Sequence, residues 1–229
     1  TTTLDFTIPI EGMEVPWGMA QIVFIYDTAR LQNPPKSMSE LLAYAKAHPG
    51  RFTYPEPPDF LGSTFLKQAL LELTDQREAL QKPATDTNFG PVTAPLWVWL
   101  DEIRPHLWRQ GLAYPQSMPA LRQLLADGEI DIAFSFNPND ASAEIERGNL
   151  RDTVRTYVLS GGTIGNTHFV AIPYNASAKE GAQVIANFLL SPKAQAHKQD
   201  LAVWGDSTVL ALDKLSPTDR AWFEKLKRG

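Results

Sequence analysis

The sequence predicts an α/β fold, and three features carry that prediction. Residues 20–26 (AQIVFIY), a continuous apolar run rich in Val, Ile, Phe and Tyr, and residues 130–136 (IDIAFSF), which alternate, both read as strands. Several other segments place their apolar residues three and four apart, as on one face of a helix. The two kinds of segment alternate along the chain, which is the α/β pattern. With 229 residues, 43% of them hydrophobic, there is apolar material for one large domain or two small ones.

In order, the continuous apolar run 20–26 is expected to be a strand buried on both faces. Asn33-Pro34-Pro35 breaks the chain, and Ser37 with Glu40 three residues later has the spacing of a capping box. Leu41, Leu42 and Ala45 then form the apolar face of a helix ending near Pro49-Gly50. Arg51–Tyr54 is a short strand and Pro55–Pro58 a rigid loop. Gly62-Ser63-Thr64 is expected to open a helix with Phe65, Ala69 and Leu73 on one face. The polar stretch 75–90 reads as a surface excursion. Residues 91–108 read as a helix whose face includes Leu96, Trp99, Leu100 and Ile103, with Pro95 and Pro105 obscuring its ends.

Ser117 caps the next helix, which Gly128 stops. The second strong strand is 130–136, followed by a short helix over Asp140–Arg147. Arg155–Leu159 and His168–Pro173 are strands flanking the turn Ser160-Gly161-Gly162. Lys179–Leu190 is an amphipathic helix, Ser191-Pro192 starts another, and Pro217–Lys227 is a third.

Composition narrows the function. The net charge is −5 with both signs mixed along the chain, so no basic stripe points to nucleic acid. There is no cysteine, which removes disulfides, thiolate metal sites and thiol nucleophiles. No apolar run approaches the ~20 residues of a membrane span. Residues 1–10 lack the charged and apolar regions of a signal peptide. Catalytic motifs are equally sparse. There is no G-x-S-x-G elbow, G-x-G-x-x-G or phosphate-binding loop, and the four histidines (His48, His106, His168, His197) have no zinc-binding spacing. No catalytic residue, metal site or cofactor is therefore assigned.

Three loops have the chemistry to hold a small molecule. In the first, Asp59, Phe60, Gly62 and Ser63, the glycine allows close approach to the backbone. The N–H groups and hydroxyls at a helix start suit an acceptor or anion. An ordinary helix cap explains the same residues. In the second, Phe136, Asn137, Asn139 and Asp140 follow the strand 130–136, on the carboxyl side where open α/β sheets bind ligands. An Asx turn capping the Asp140 helix is the alternative. In the third, Trp17 lies between Pro16 and Gly18, where an aromatic either plugs the core or walls a pocket. Trp97, Trp99 and Trp108 are assigned to packing, Trp204 is a weaker ligand candidate, and His168 is assigned a structural role.

The linked series Trp17-Gly18, Ile22–Tyr26, Pro35–Leu42, Pro49–Pro55 and Pro57–Ser63 is similar to the solute-binding proteins of ABC importers. Asp127–Ala133 and Phe188–Gln195 continue the likeness. The class is the one that includes thiamine, ferric-iron and polyamine binders, and the YnjB-type branch is the best match. This resemblance implies a periplasmic-binding-protein-like fold of type II, with two lobes joined by crossover strands and a ligand cleft between them. Residues 1–26 would end the first lobe and cross over, 27–129 would form the second lobe, and 130–229 would return and complete the first. About nineteen residues precede the first crossing, where a complete lobe needs roughly a hundred, so the first lobe is expected to lack its amino-terminal part.

The resemblance also implies a periplasmic, monomeric protein that closes on a small solute and delivers it to a membrane permease without catalysis or cofactor. Ferric iron loses support because no Tyr-Tyr pair occurs and Tyr157 stands beside Thr156. Aromatic faces near acids suit a cationic ring or amine, serines at a helix start suit a phosphate or carboxylate, and one zwitterionic or phosphorylated ligand would meet both; an organic cation such as a thiamine-like compound is the favoured expectation. Two rivals stay open: a two-lobed enzyme using Asp59 and Asp140, and an effector-binding sensor domain.

Overall fold

The computed structural model describes residues 3–227. The strands are β1 (Leu4–Asp5), β2 (Ile8–Pro9), β3 (Glu14–Gln21), β4 (Val23–Asp27), β5 (Ile132–Ser135), β6 (Val154–Tyr157) and β7 (Gly165–Ala171). The helices are α1 (Met38–Ala47), α2 (Phe60–Leu73), α3 (Phe89–Ile103), α4 (Met118–Asp127), α5 (Asp140–Glu146), α6 (Lys179–Leu189), α7 (Pro192–Gln199) and α8 (Pro217–Glu224). The α/β class is thus observed. No helix among the described residues is long and apolar enough to cross a membrane.

The chain folds as two compact units. The first comprises Thr1–Gln21, Phe136–Asn149 and Gly165–Gly229, and the second Ile22–Ser135 and Leu150–Ile164. The chain therefore passes from one unit to the other at 21/22, 135/136, 149/150 and 164/165. Both runs expected to be single strands are divided at these points. Run 20–26 ends β3, breaks at Ile22 and begins again as β4, because the two halves pair with different strands. In run 130–136 only Ile132–Ser135 is strand, and Phe136 belongs to the first unit. The sequence division gave 150–164 to the first lobe. Here the segment lies in the second unit, because β6 pairs with β4.

The second unit is built on the antiparallel sheet β5-β4-β6. Every residue of β5 is buried, as are four of the five in β4. The continuous apolar run 20–26 fits that burial, whereas the alternation of residues 130–136 does not produce an exposed face, because Asp131 and Ser135 are buried as well. Phe65 of α2 is fully buried against this sheet. It stacks on Phe134 with ring centroids 4.9 Å apart and meets Phe24, Phe52, Tyr54 and Trp99 within 6.5 Å. Such a cluster contributes through both buried area and ring geometry.

The caps follow the sequence closely. The Ser37 side chain accepts from the Glu40 N–H, and the Glu40 carboxylate accepts from the Lys36 N–H. Ser117 caps α4, and Gly128 ends it in the left-handed conformation at φ 73°. Helix α3 starts two residues before the expected bound and stops at Ile103, after which 3-10 turns over Arg104–His106 and Trp108–Gly111 replace the remainder. Trp99 packs as expected, its Nε1 donating to the Met38 carbonyl. Trp97 instead lies largely exposed.

The first unit contains the antiparallel pair β3–β7, with α5, α6, α7 and α8. Its register slips by one residue between Pro16 and Gly18, so Trp17 sits in a β-bulge. The strands flanking Ser160-Gly161-Gly162 do not form a hairpin: β6 belongs to the second unit and β7 to the first.

Candidate functional site

In the first unit the bulge at Trp17 re-aims one aromatic side chain, and the rest of the cluster is assembled around it. The buried Gln195 amide donates from Nε2 to the Trp17 carbonyl at 3.0 Å and to the Leu189 carbonyl at 3.0 Å. Its Oε1 accepts from the Thr208 hydroxyl at 3.0 Å and the Val209 N–H at 3.1 Å. A fully satisfied buried amide of this kind fixes backbone geometry at little net cost. The Trp17 ring lies 6.3 Å from Trp204, tilted by 39°.

Trp204 is delivered by a tight reversal after α7. The N–H groups of Val203, Trp204 and Gly205 all donate to the Asp200 carbonyl, and Gly205 adopts φ 82°, where a β-carbon would be strained. The chain then returns so that Asp206 faces Lys198. Lys198 Nζ donates to Asp206 Oδ2 at 2.7 Å, to the Ser207 carbonyl at 2.6 Å and to the Asp206 carbonyl at 3.2 Å. Both side chains are nearly sealed, at 2% and 3% exposure. Burial lowers the Lys198 pKa, and the Asp206 carboxylate opposes that shift. The ammonium lies 5.2 Å from the Trp17 ring centroid and 5.8 Å from that of Trp204.

His168, in the middle of β7, completes the cluster. Its Nε2 is 3.2 Å from Asp206 Oδ2, and its ring stacks against Trp204 at 6.2 Å with an interplanar angle of 20°. The imidazole keeps 39% exposure. The structural role assigned to His168 from sequence therefore omits its place beside the half-buried Trp17 and the exposed Trp204.

The second predicted loop joins this cluster. The Asn137 Oδ1 accepts the Asn139 N–H at 2.9 Å, which is the Asx turn ahead of α5. The outer amide groups do more: Asn137 Nδ2 donates to the Trp204 carbonyl at 3.4 Å and Asn139 Nδ2 to the Gly205 carbonyl at 2.8 Å. Both asparagines thus hold the Trp204 turn. The Phe136 carbonyl accepts the Gln21 N–H at 2.8 Å, and Phe136 and Asp140 are half-buried. Asn139 also borders a cavity of about 390 Å³ with Gln199, Arg220 and Phe223.

In the second unit, the first predicted loop differs from expectation. Helix α2 opens at Phe60, ahead of Gly62, because Asp59 is its cap: Oδ1 accepts from the Leu61 N–H at 2.9 Å and the Gly62 N–H at 3.0 Å. The Ser63 N–H is inside the helix, bonded to the Asp59 carbonyl, and the Thr64 hydroxyl donates to the Phe60 carbonyl. The Ser63 N–H expected to receive an anion is therefore already bonded to a backbone carbonyl, and the N–H groups at the actual helix start, those of Leu61 and Gly62, are taken by the Asp59 carboxylate. Gly62 has a packing reason of its own, since a β-carbon there would stand 1.9 Å from the Pro55 carbonyl oxygen. Phe60, at 69% exposure, is the residue of this loop that faces solvent.

Sequence reasoning missed Lys198, Asp206, Gln195 and the true setting of His168. Gln195 and Lys198 lie in the polar run Lys193–Asp200, which by composition is an exposed helix face. The one usable signal was Trp204-Gly205-Asp206, an aromatic next to a turn glycine and an acid.

Comparison with known proteins places the chain. Residues 2–215 match the model of the family described as bacterial extracellular solute-binding protein. The protein YnjB of Escherichia coli (strain K12) is 46% identical over 216 residues, which cover 94% of this chain and 56% of that protein. Among solved structures, a periplasmic thiamin binding protein aligns with a TM-score of 0.57 and 20% identity, over 94% of this chain and 57% of its own. A putative spermidine/putrescine ABC transporter from Listeria monocytogenes aligns with a TM-score of 0.61 and 15% identity, over 93% of this chain and 59% of its own. The fold is that of type II periplasmic binding proteins, and the chain spans little more than half the length of these relatives. The chain belongs to the bacterial extracellular solute-binding protein family.

Proposed function

We propose that this protein is the solute-binding component of a bacterial ABC importer, working in the periplasm and delivering a small molecule to a membrane permease. The observation that carries this is the family match across residues 2–215, joined to 46% identity with YnjB. The binding residues proposed on the first unit are Trp17, Phe136, Asn137, Asn139 and Asp140. Those on the second are Asp59, Phe60, Gly62 and Ser63. Half-buried aromatics and amides on rigid supports, with the exposed Phe60, suit reversible capture. In this reading the protein acts as a binder, in keeping with a family described as solute-binding.

For the solute we propose an organic cation, such as a thiamine-like compound. The support is twofold: indole faces attract cations, and solved relatives of the same fold include proteins described as binding thiamin and as transporting spermidine or putrescine.

Isothermal titration calorimetry of the protein with thiamine, spermidine, amino acids and ferric iron, followed by analysis of the recovered solute, tests both statements. Micromolar binding with the solute returned unchanged is expected. Conversion of the solute to a product overturns the transport function.

A further inference from the structure

The cluster around Asp206 is more elaborate than a structural ion pair needs. Removing Lys198 from water is costly, and the pair with Asp206 does little more than offset that cost. The return is positional: the buried ammonium sits under both indoles, Gln195 fixes the Trp17 backbone, and Asn137 and Asn139 fix the Trp204 turn. Trp204 nevertheless keeps 44% of its surface in solvent, and the stacked His168 ring is also open. Large aromatics immobilised from beneath yet left exposed are preorganised to receive another ring, because the entropy of ordering them is already spent.

The same geometry selects the solute class. Asp206 is the acid of the cluster, and its carboxylate is buried and shared between Lys198 and His168. An aliphatic ammonium arriving here finds the Asp206 carboxylate already engaged, whereas a flat conjugated ring meets three aromatic faces. We propose that Trp204 and His168 extend Trp17 into one stacking subsite for a planar, conjugated ring of the solute, with Lys198 and Asp206 as positioning residues. This rests on the solute-binding function proposed above and adds a class to it.

The test is nuclear magnetic resonance of the indole N–H signals in the full chain, with Trp17 and Trp204 assigned from Trp17→Phe and Trp204→Phe. The probes are thiamine, 4-aminopyrimidine, nicotinamide and indole as planar rings, and spermidine as a flexible amine. At least one planar ring is expected to move both signals in a saturable way while spermidine moves neither. Trp204→Ala should weaken that ring about tenfold, and Trp204→Phe should restore most of the loss. Lys198→Met should shift both indole signals before any probe is added, which a role in stability alone would not require of both rings. If no planar ring moves either signal, or spermidine moves them equally, the subsite is wrong. A solute detected by calorimetry that leaves both indoles unmoved sinks the subsite alone and leaves the transport function standing.

Discussion

Gly18 lies directly beneath Asp206: a β-carbon at position 18 would stand 2.0 Å from Asp206 Oδ2 and 2.3 Å from His168 Nε2. The absence of a side chain in β3 is thus what lets a carboxylate from the turn after α7 and an imidazole from β7 meet across the strand. Gly18→Ala must push the pair apart or distort the bulge. The expected loss is roughly 2–3 kcal/mol, seen as a fall of roughly 5–10 °C in the unfolding midpoint. The environments of Trp17 and Trp204 should change in the near-ultraviolet circular dichroism. An unchanged midpoint would mean that the cluster is loosely packed.

The Lys198–Asp206 pair should behave as a buried ion pair whose halves depend on each other. Asp206→Asn or Lys198→Met alone leaves one buried group without its counter-charge and is expected to cost about 3–5 kcal/mol. The double variant, which removes both charges, should be less destabilised than the sum of the two by about 1–3 kcal/mol. Denaturant unfolding of the four proteins measures that coupling, and strict additivity would show that the pair does not interact.

Tyr157 presents a sharper case. Its hydroxyl is buried without a hydrogen-bond partner, between Phe24 and Tyr26. Burial raises its pKa, and the neighbouring Tyr26 adds to the shift. Tyr157→Phe should therefore be neutral or stabilising, by up to about 1 kcal/mol. The sign of the pH effect follows: a phenol whose folded pKa exceeds the unfolded value of ~10 contributes stability below pH ~10 and loses it as pH rises toward the folded value. Tyr44 and Tyr54, raised chiefly by burial, act in the same direction. Stability should fall above pH ~10 and fall less steeply in Tyr157→Phe.

At the acid end, Asp131 contributes together with Asp27, whose carboxylate is also held below its usual value. Burial pushes the Asp131 pKa up, but hydrogen bonds from Arg51 and Tyr44 and the charge of Arg51 outweigh burial and hold it below the usual carboxylate value. Its contribution is complete above the unfolded pKa of ~3.9 and disappears as pH falls through the lower folded value. Asp131→Asn should cost about 1.5–3 kcal/mol at neutral pH and flatten the acid limb of the stability profile. A steep limb retained in the variant would move the effect to other carboxylates.

Local elements were legible because their signals are local. Ser37, Ser117 and Ser191 cap helices where their spacing says they should, and Gly128 ends one. The division of run 20–26 into β3 and β4 was not legible, since Ile22 is as apolar as its neighbours and only the distant pairing partners separate the two halves. At the candidate site, Trp17, Asn137 and Asn139 carried visible turn chemistry, and the structure joins them around Trp204. Lys198 and Asp206 were hidden because a buried lysine in a polar helix looks like a solvated one until its partner from another segment is known. Gly62 misled for a related reason: the carbonyl it accommodates belongs to Pro55.

Native mass spectrometry of the protein isolated from its native host tests the central claim most directly. The account predicts one small organic solute per chain, released intact on mild activation, with the bound fraction sharply reduced in Trp17→Ala although that variant remains folded. Recovery of a chemically altered solute, or full retention of the solute by folded Trp17→Ala, would contradict it.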